Sequence, residues 1–314
     1  MRFVDELNLT KGENMKKIEI FPEDAELIYN GWIFDDLKNS INEPLNVGFD
    51  TKKTTTNYSD IDVNVKSPLF NEPLKELDLE ANGLKGFDRS KLPSAETRTK
   101  AIWGRETVLK KIVFANMLLQ MITCDNPKEL GGQLSLRIKD VYKPIEAQQA
   151  LWNNILAREI ANAGGNKEEG YRIAKILCSD PTNFDENNPK TAPIHTTGAA
   201  VDTFLWSDYG SDKSAITIAG YKDENGKSLV VDHYNTDFFE KKLASGEKLT
   251  EQEEICLRNR RLLNSVMIAA GFENYVKEPW HFDYKDQMYA MMKNTREKTN
   301  KYVAEYGYAK HPER

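Results

Sequence analysis

Histidine is scarce in this 314-residue chain, which holds only His195, His233, His281 and His311. Imidazole is the commonest metal ligand and a proton carrier near neutral pH, so each position carries information. His195 opens the run His195-Thr-Thr-Gly198-Ala-Ala-Val-Asp202. Gly198 gives the backbone freedom to turn, so an imidazole before the turn and a carboxylate after it can converge on one ion. Glu278-Pro279-Trp280-His281 supplies a second pair. Proline pushes Glu278 toward extended geometry, so this is not the helical HExxH arrangement. Residues three apart in an extended chain face opposite ways unless the chain bends, and Pro279 can provide that bend. Two imidazoles and a carboxylate suit zinc, with the fourth position left for water. Zinc lowers the pKa of such a water to roughly 7, and Glu278 can then take its proton. Either motif alone arises often by chance, and a buried His or Asp beside aromatics is more often a hydrogen-bonded core residue. His311 is expected at the surface, and His233 follows a predicted hairpin.

The elements that must position these groups are readable in part. Val108, Ile112, Ala115, Leu119 and Ile122 recur at helical spacing. Leu134, Leu136 and Ile138 alternate as in a half-buried strand. Pro144 suits the first turn of a helix that stops by Gly164-Gly165, and another helix is predicted near 167–178. Ala199–Trp206 reads as a strand. Asn225-Gly226, between Ala215–Gly220 and Leu229–Val231, is a hairpin signal. Thr250 and Glu253 form a capping box, and Gly271 suits the position that ends that helix. Tyr275–Tyr284 reads as extended. The pattern predicts an α+β fold with helices packed on a central antiparallel sheet. Residues 1–95 show no clear period and are expected to be an N-terminal extension, an arm on the main domain. Residues 96–285 hold every motif, and 286–314 read as a tail that is helical until Gly307.

Composition narrows the function. Lys+Arg is 43 and Asp+Glu is 49, a formal net charge of −6, with a pI near 5.5. That argues against binding nucleic acid by phosphate neutralisation and against a polybasic membrane surface. Cys124, Cys178 and Cys256 are odd in number and form no CxxC pair, so neither a disulfide framework nor a cysteine zinc site is expected. No apolar run of signal or membrane-span length is visible, because Lys110, Lys111, Asn116 and Gln120 interrupt the longest one. The expectation is a cytoplasmic protein with a small-molecule substrate.

Four segments, taken together, resemble the zinc D-Ala-D-Ala dipeptidases of the vancomycin-resistance type. Pro193-Ile-His195-Thr-Thr-Gly198-Ala-Ala200-Val-Asp202 is similar to the family's S-x-H-x-x-G-x-A-x-D. Glu278-Pro-Trp280-His281 is similar to its E-W-W-H. Asn259-Arg-Arg-Leu-Leu through Met267 and Ala270-Gly271-Phe272 resembles N-R-R-x-L…M…G-F, and Asp140-Val-Tyr142-Lys143-Pro144 resembles D-x-Y-R-P. Order and separation agree across residues 97–285. The resemblance implies the hedgehog-like α+β fold shared with zinc D,D-carboxypeptidases. It implies one zinc per chain on His195, Asp202 and His281, with Glu278 as general base. It puts Lys143 opposite the substrate carbonyl and Asp237 against the substrate's ammonium group.

Two departures stand out. Lys143 replaces an arginine, keeping the charge but losing the planar fork. Arg137, on the preceding strand, is the nearest guanidinium that could compensate. Pro193 replaces a serine, so a hydroxyl near the substrate is lost. The first reading is a zinc dipeptidase acting on D-Ala-D-Ala or a similar dipeptide with a free amino terminus. Two alternatives stand beside it. One is a zinc D,D- or L,D-carboxypeptidase acting on peptidoglycan peptides. The other is a non-catalytic binding module that keeps zinc as a structural staple. Glu278 speaks against the latter, since a structural site has no use for a base beside the metal.

Overall fold

The computed structural model describes residues 17–30, 32–45, 57–87, 101–125, 133–207, 215–216 and 235–311. The Asn225-Gly226 hairpin and His233 lie outside these residues. Two helices come first, α1 (Pro22–Tyr29) and α2 (Trp32–Ser40), followed by strands β1 (Leu74–Leu77), β2 (Lys85–Gly86) and β3 (Ile102–Arg105). Helix α3 (Glu106–Asp125), strand β4 (Leu134–Asp140), and helices α4 (Ile145–Asn162) and α5 (Lys167–Leu177) make up the middle of the chain. Strands β5 (Ala200–Ser207) and β6 (Ala215–Ile216) precede helices α6 (Phe238–Ala244) and α7 (Glu251–Ala269). Strands β7 (Glu273–Asn274) and β8 (His281–Asp283) and helix α8 (Gln287–Glu297) close the order. The architecture is α+β, as the patterning predicts.

The apolar period of α3 is satisfied by burial on several sides. Val108, Ile112, Ala115, Leu118 and Leu119 are fully enclosed, and the helix packs on β4 and α7. By length and composition Glu106–Cys124 could cross a bilayer, yet most of it lies inside the fold. It is the core helix. Each large apolar side chain hidden there contributes about 1.5–3 kcal/mol relative to exposure. Helix α7 begins at Thr250, whose hydroxyl accepts from Glu253 N at 3.3 Å while Glu253 Oε2 accepts from Thr250 N at 2.8 Å. Gly271 follows its end with φ +95°, where only glycine sits without strain.

The main sheet runs β2-β4-β5-β8-β7, with β6 paired to β5. All pairs are antiparallel except β2 with β4. Register is the feature that matters for function. It sets Asp202 opposite Asp140 on one side and opposite His281 on the other.

Two regions differ from the sequence-based expectation. Residues 57–87 are not separate from the motif-bearing stretch, because β1 pairs with β3 and β2 with β4. Strands of four and two residues leave too few positions for a period to show. The tail is helical only to Glu297, where Lys298 turns left-handed at φ 52°. It then runs on as a strap that buries Ala304, Tyr306 and Ala309. Arg105 Nη2 donates to Gly307 O at 3.0 Å, Tyr142 donates to Ala309 O at 3.1 Å, and Ala309 N donates to Thr196 O at 2.9 Å.

Candidate active site

His195 sits in a 3-10 turn, Ile194–Thr197, just before β5. The two threonines lock that turn. Thr196 Oγ1 donates to Pro193 O and Thr197 Oγ1 to Ile194 O, each at 2.7 Å. Gly198 then reverses the chain at φ +72°, and a Cβ there would meet Leu74 Cδ2 at 2.7 Å. Both the conformation and the space demand glycine. Arg105, almost wholly buried, holds the turn from behind with its Nε on Thr197 O at 2.8 Å.

Glu278 and His281 come from the second half. Backbone His281 N donates to Glu278 O at 3.0 Å, closing a turn over Pro279 and Trp280. This is the bend that places residues three apart on one side. Buried Asn274 clamps it, donating from Nδ2 to Glu278 O at 3.2 Å and to His281 O at 2.9 Å. Its own Oδ1 accepts from Thr236 Oγ1 at 2.6 Å.

The two halves meet at Asp202. Its Oδ1 lies 3.0 Å from His281 Nδ1 and 3.4 Å from His195 Nε2. The imidazoles stand edge to face with centroids 5.0 Å apart. One ligand atom from each of the three residues falls within 4.8 Å of the others, and all three side chains are buried. The far nitrogen of each ring is also engaged. His195 Nδ1 meets Val141 O at 2.8 Å, and His281 Nε2 meets Asp283 Oδ1 at 2.9 Å. Partners of that kind fix the ring and its tautomer, leaving the inner nitrogen for an ion.

Electrostatics agree with a cation-holding site. Burial, with Lys143 nearby, pulls His195 below the usual histidine range, so its ring is neutral and has a lone pair to give. Burial alone would raise Asp202, but its polar neighbours outweigh it, Lys143 and Lys139 by their charge, and hold the carboxylate well below its usual range. Burial would likewise lower His281, yet Asp283 and Asp202 raise it well above normal. The carboxylates that hold a proton there are placed to hold a metal ion instead. Asp286 stands behind Asp283, and its carboxyl is raised well above normal by burial and by Asp283. The donor set of two imidazoles and one carboxylate fits a metal ion of the zinc type.

Glu278 lies at the edge of this cluster, Oε2 3.9 Å from His281 Nδ1, with 17 % of its side chain exposed. Burial pushes its pKa up to about 7, with His281 opposing. A carboxylate poised near neutrality is suited to taking and returning a proton. Lys143 is buried between Asp140 at 3.4 Å and Asp202 at 3.6 Å. Burial would lower its pKa, but those two carboxylates raise it, so it remains an ammonium. Its backbone N donates to His195 O at 3.0 Å, which ties it to the turn that carries His195. These groups line a cavity of about 610 Å³, walled further by Tyr58, Cys178, Tyr275 and Trp280.

Two sequence-based expectations find other places. Arg137 points away, its guanidinium 3.9 Å from the Phe87 ring and 4.6 Å from that of Trp206, with Nε on Gly86 O at 3.1 Å. Lys139 lines the cavity instead. Asp237 precedes α6, pairs with Lys241 at 2.8 Å and is not part of the cavity wall. Tyr58, Lys139 and Asn274 were not singled out by sequence. An asparagine inside a strand, between Glu273 and Tyr275, was the one available signal, since asparagine is depleted in strands.

Comparison with known proteins agrees with this geometry. Residues 97–298 match the model of a family described as D-Ala-D-Ala dipeptidase. A D-alanyl-D-alanine dipeptidase of Synechocystis sp. (strain ATCC 27184 / PCC 6803 / Kazusa) is 29 % identical over 245 residues, covering 75 % of this chain and 91 % of the relative.

Proposed function

The chain belongs to the D-Ala-D-Ala dipeptidase family, and we propose on that premise that it hydrolyses D-Ala-D-Ala or a closely similar dipeptide with one zinc ion on His195, Asp202 and His281. Zinc in such a site supplies Lewis acidity, making water a better nucleophile and a carbonyl a better electrophile. The rest is done by the chain's own groups. Glu278 takes a proton from the attacking water as the new C–O bond forms. It returns that proton to the departing amine nitrogen as the C–N bond breaks. Lys143 presents its ammonium to the oxyanion that develops on the carbonyl. Val141 O and Asp283 keep the two imidazoles aimed inward throughout.

The observation that carries this reading is Glu278 itself. A carboxylate raised to about 7 beside a His-Asp-His cluster is of use to hydrolysis and of none to a structural staple. A second reading has a specific observation in its favour. A cavity of about 610 Å³ also has room for a longer peptidoglycan peptide, as a D,D- or L,D-carboxypeptidase requires. Because Asp237 stands outside the cavity wall, the need for a free amino terminus is the point of difference. The test is a panel of D,D-, L,D- and L,L-dipeptides, free and N-blocked, assayed with zinc. Hydrolysis of free D-Ala-D-Ala, lost on chelation and restored by zinc, supports the dipeptidase. Faster cleavage of N-blocked peptides supports the carboxypeptidase, and no cleavage of any member would refute both.

A further inference from the structure

Strand β4 does not run evenly along β5. Ile138 pairs with Thr203 and Asp140 with Asp202, so two steps on β4 answer one on β5 and Lys139 is the extra residue. A bulge of this kind sets two consecutive side chains on the same side of a sheet, and bulges recur beside active sites because they re-aim side chains. Here it brings Lys139 and Asp140 together beside Asp202. Lys139 Nζ lies 3.7 Å from Asp202 Oδ2, close to the 3.6 Å at which Lys143 approaches the same oxygen. The two ammoniums differ in access. The Lys143 side chain is 5 % exposed and that of Lys139 is 36 % exposed. Lys139 also lines the cavity and acts electrostatically on both Asp202 and Glu278.

We propose that Lys139 is a substrate-binding residue that receives the C-terminal carboxylate of the peptide. Placement argues for it, since the Lys139 ammonium lines the cavity and approaches the same Asp202 oxygen as Lys143. Reach argues for it too, because a flexible four-carbon stem at the cavity mouth can follow a small ligand, whereas buried Lys143 cannot. The bulge thus gives this chain a second cation where a single guanidinium is replaced by lysine. The inference rests on the peptidase reading of the same site.

The test compares D-Ala-D-Ala with its C-terminal amide in the full-length zinc-loaded protein and in Lys139→Met and Lys139→Arg. The parent is expected to favour the free acid, and Lys139→Met to lower the acid-over-amide ratio of kcat/KM by about tenfold, the scale of one charge-assisted hydrogen bond. Lys139→Arg is expected to restore most of the ratio. Calorimetric titration of both ligands onto the same three proteins, each also carrying Glu278→Ala to suppress turnover, should show the same ratio in Kd. An unchanged acid-over-amide preference in Lys139→Met would overturn the proposal. So would an equal loss for both ligands accompanied by lost zinc, which is what a residue that only supports Asp202 would give. If no protein cleaves either ligand, the peptidase reading fails, and the titrations still decide the role of Lys139.

Discussion

At the floor of the cavity, His195, Asp202, His281 and Lys143 are each buried and each held by two or more partners from different elements. At its rim, charge is carried by groups that water reaches. Lys190 is 42 % exposed and pairs with Asp62, itself 75 % exposed, and Lys139, 36 % exposed, lies 3.7 Å from Asp202. The difference teaches where function is fixed and where it is tuned. A buried charge that loses its partner keeps its desolvation penalty, so each floor residue locks the others in place. A rim charge is solvated with or without its partner and is free to change with the substrate. On the proposed reading the metal ligands lie at the floor, and the lysine at 143, where the resembled motif has arginine, is joined by a second lysine nearer the mouth.

That contrast is broken or sharpened by substitutions of decreasing effect. His281→Ala is expected to lose the metal and bring hydrolysis down to background, checked by elemental analysis and a dipeptide assay on one preparation. Unchanged metal content in both His281→Ala and His195→Ala would break the floor assignment. Lys143→Ala is expected to lower kcat by about 10²–10³, the loss seen when one oxyanion-facing donor is removed. Metal content should hold, since Asp202 keeps Lys139 and both histidines. Gly198→Ala is expected to destabilise the fold by about 1–3 kcal/mol, from left-handed strain and the clash with Leu74, read as a lower midpoint in urea. Lys190→Ala is expected to change stability by less than about 0.5 kcal/mol and zinc content not at all. A large effect there would erase the distinction between floor and rim.

The same contrast explains what was legible in the sequence. His195, Asp202, Glu278 and His281 could be picked out because histidine is scarce and because Gly198 and Pro279 mark the turns that aim them. The helices were legible from their period, since α3 and α7 each run for five turns or so of regular burial. Lys139 was not, because its position depends on the register of β4 against β5, some sixty residues away in sequence, and on a bulge that leaves no residue signature. Tyr58 was hidden in a stretch of Asn, Ser and Asp where one 3-10 turn and very short strands replace periodic elements. The strap after Lys298 was read as helix because its charged, Tyr-bearing sequence has no strong breaker before Gly307. Tertiary partners decide instead, with the buried guanidinium of Arg105 and the hydroxyl of Tyr142 taking its carbonyls.

The most direct test of the central claim is to measure zinc content and D-Ala-D-Ala hydrolysis on a single preparation of Glu278→Ala. The account expects about one zinc per chain, as in the parent, with hydrolysis reduced by about 10²–10⁴ through loss of the general base. Hydrolysis at the parent's rate with zinc in place would contradict it.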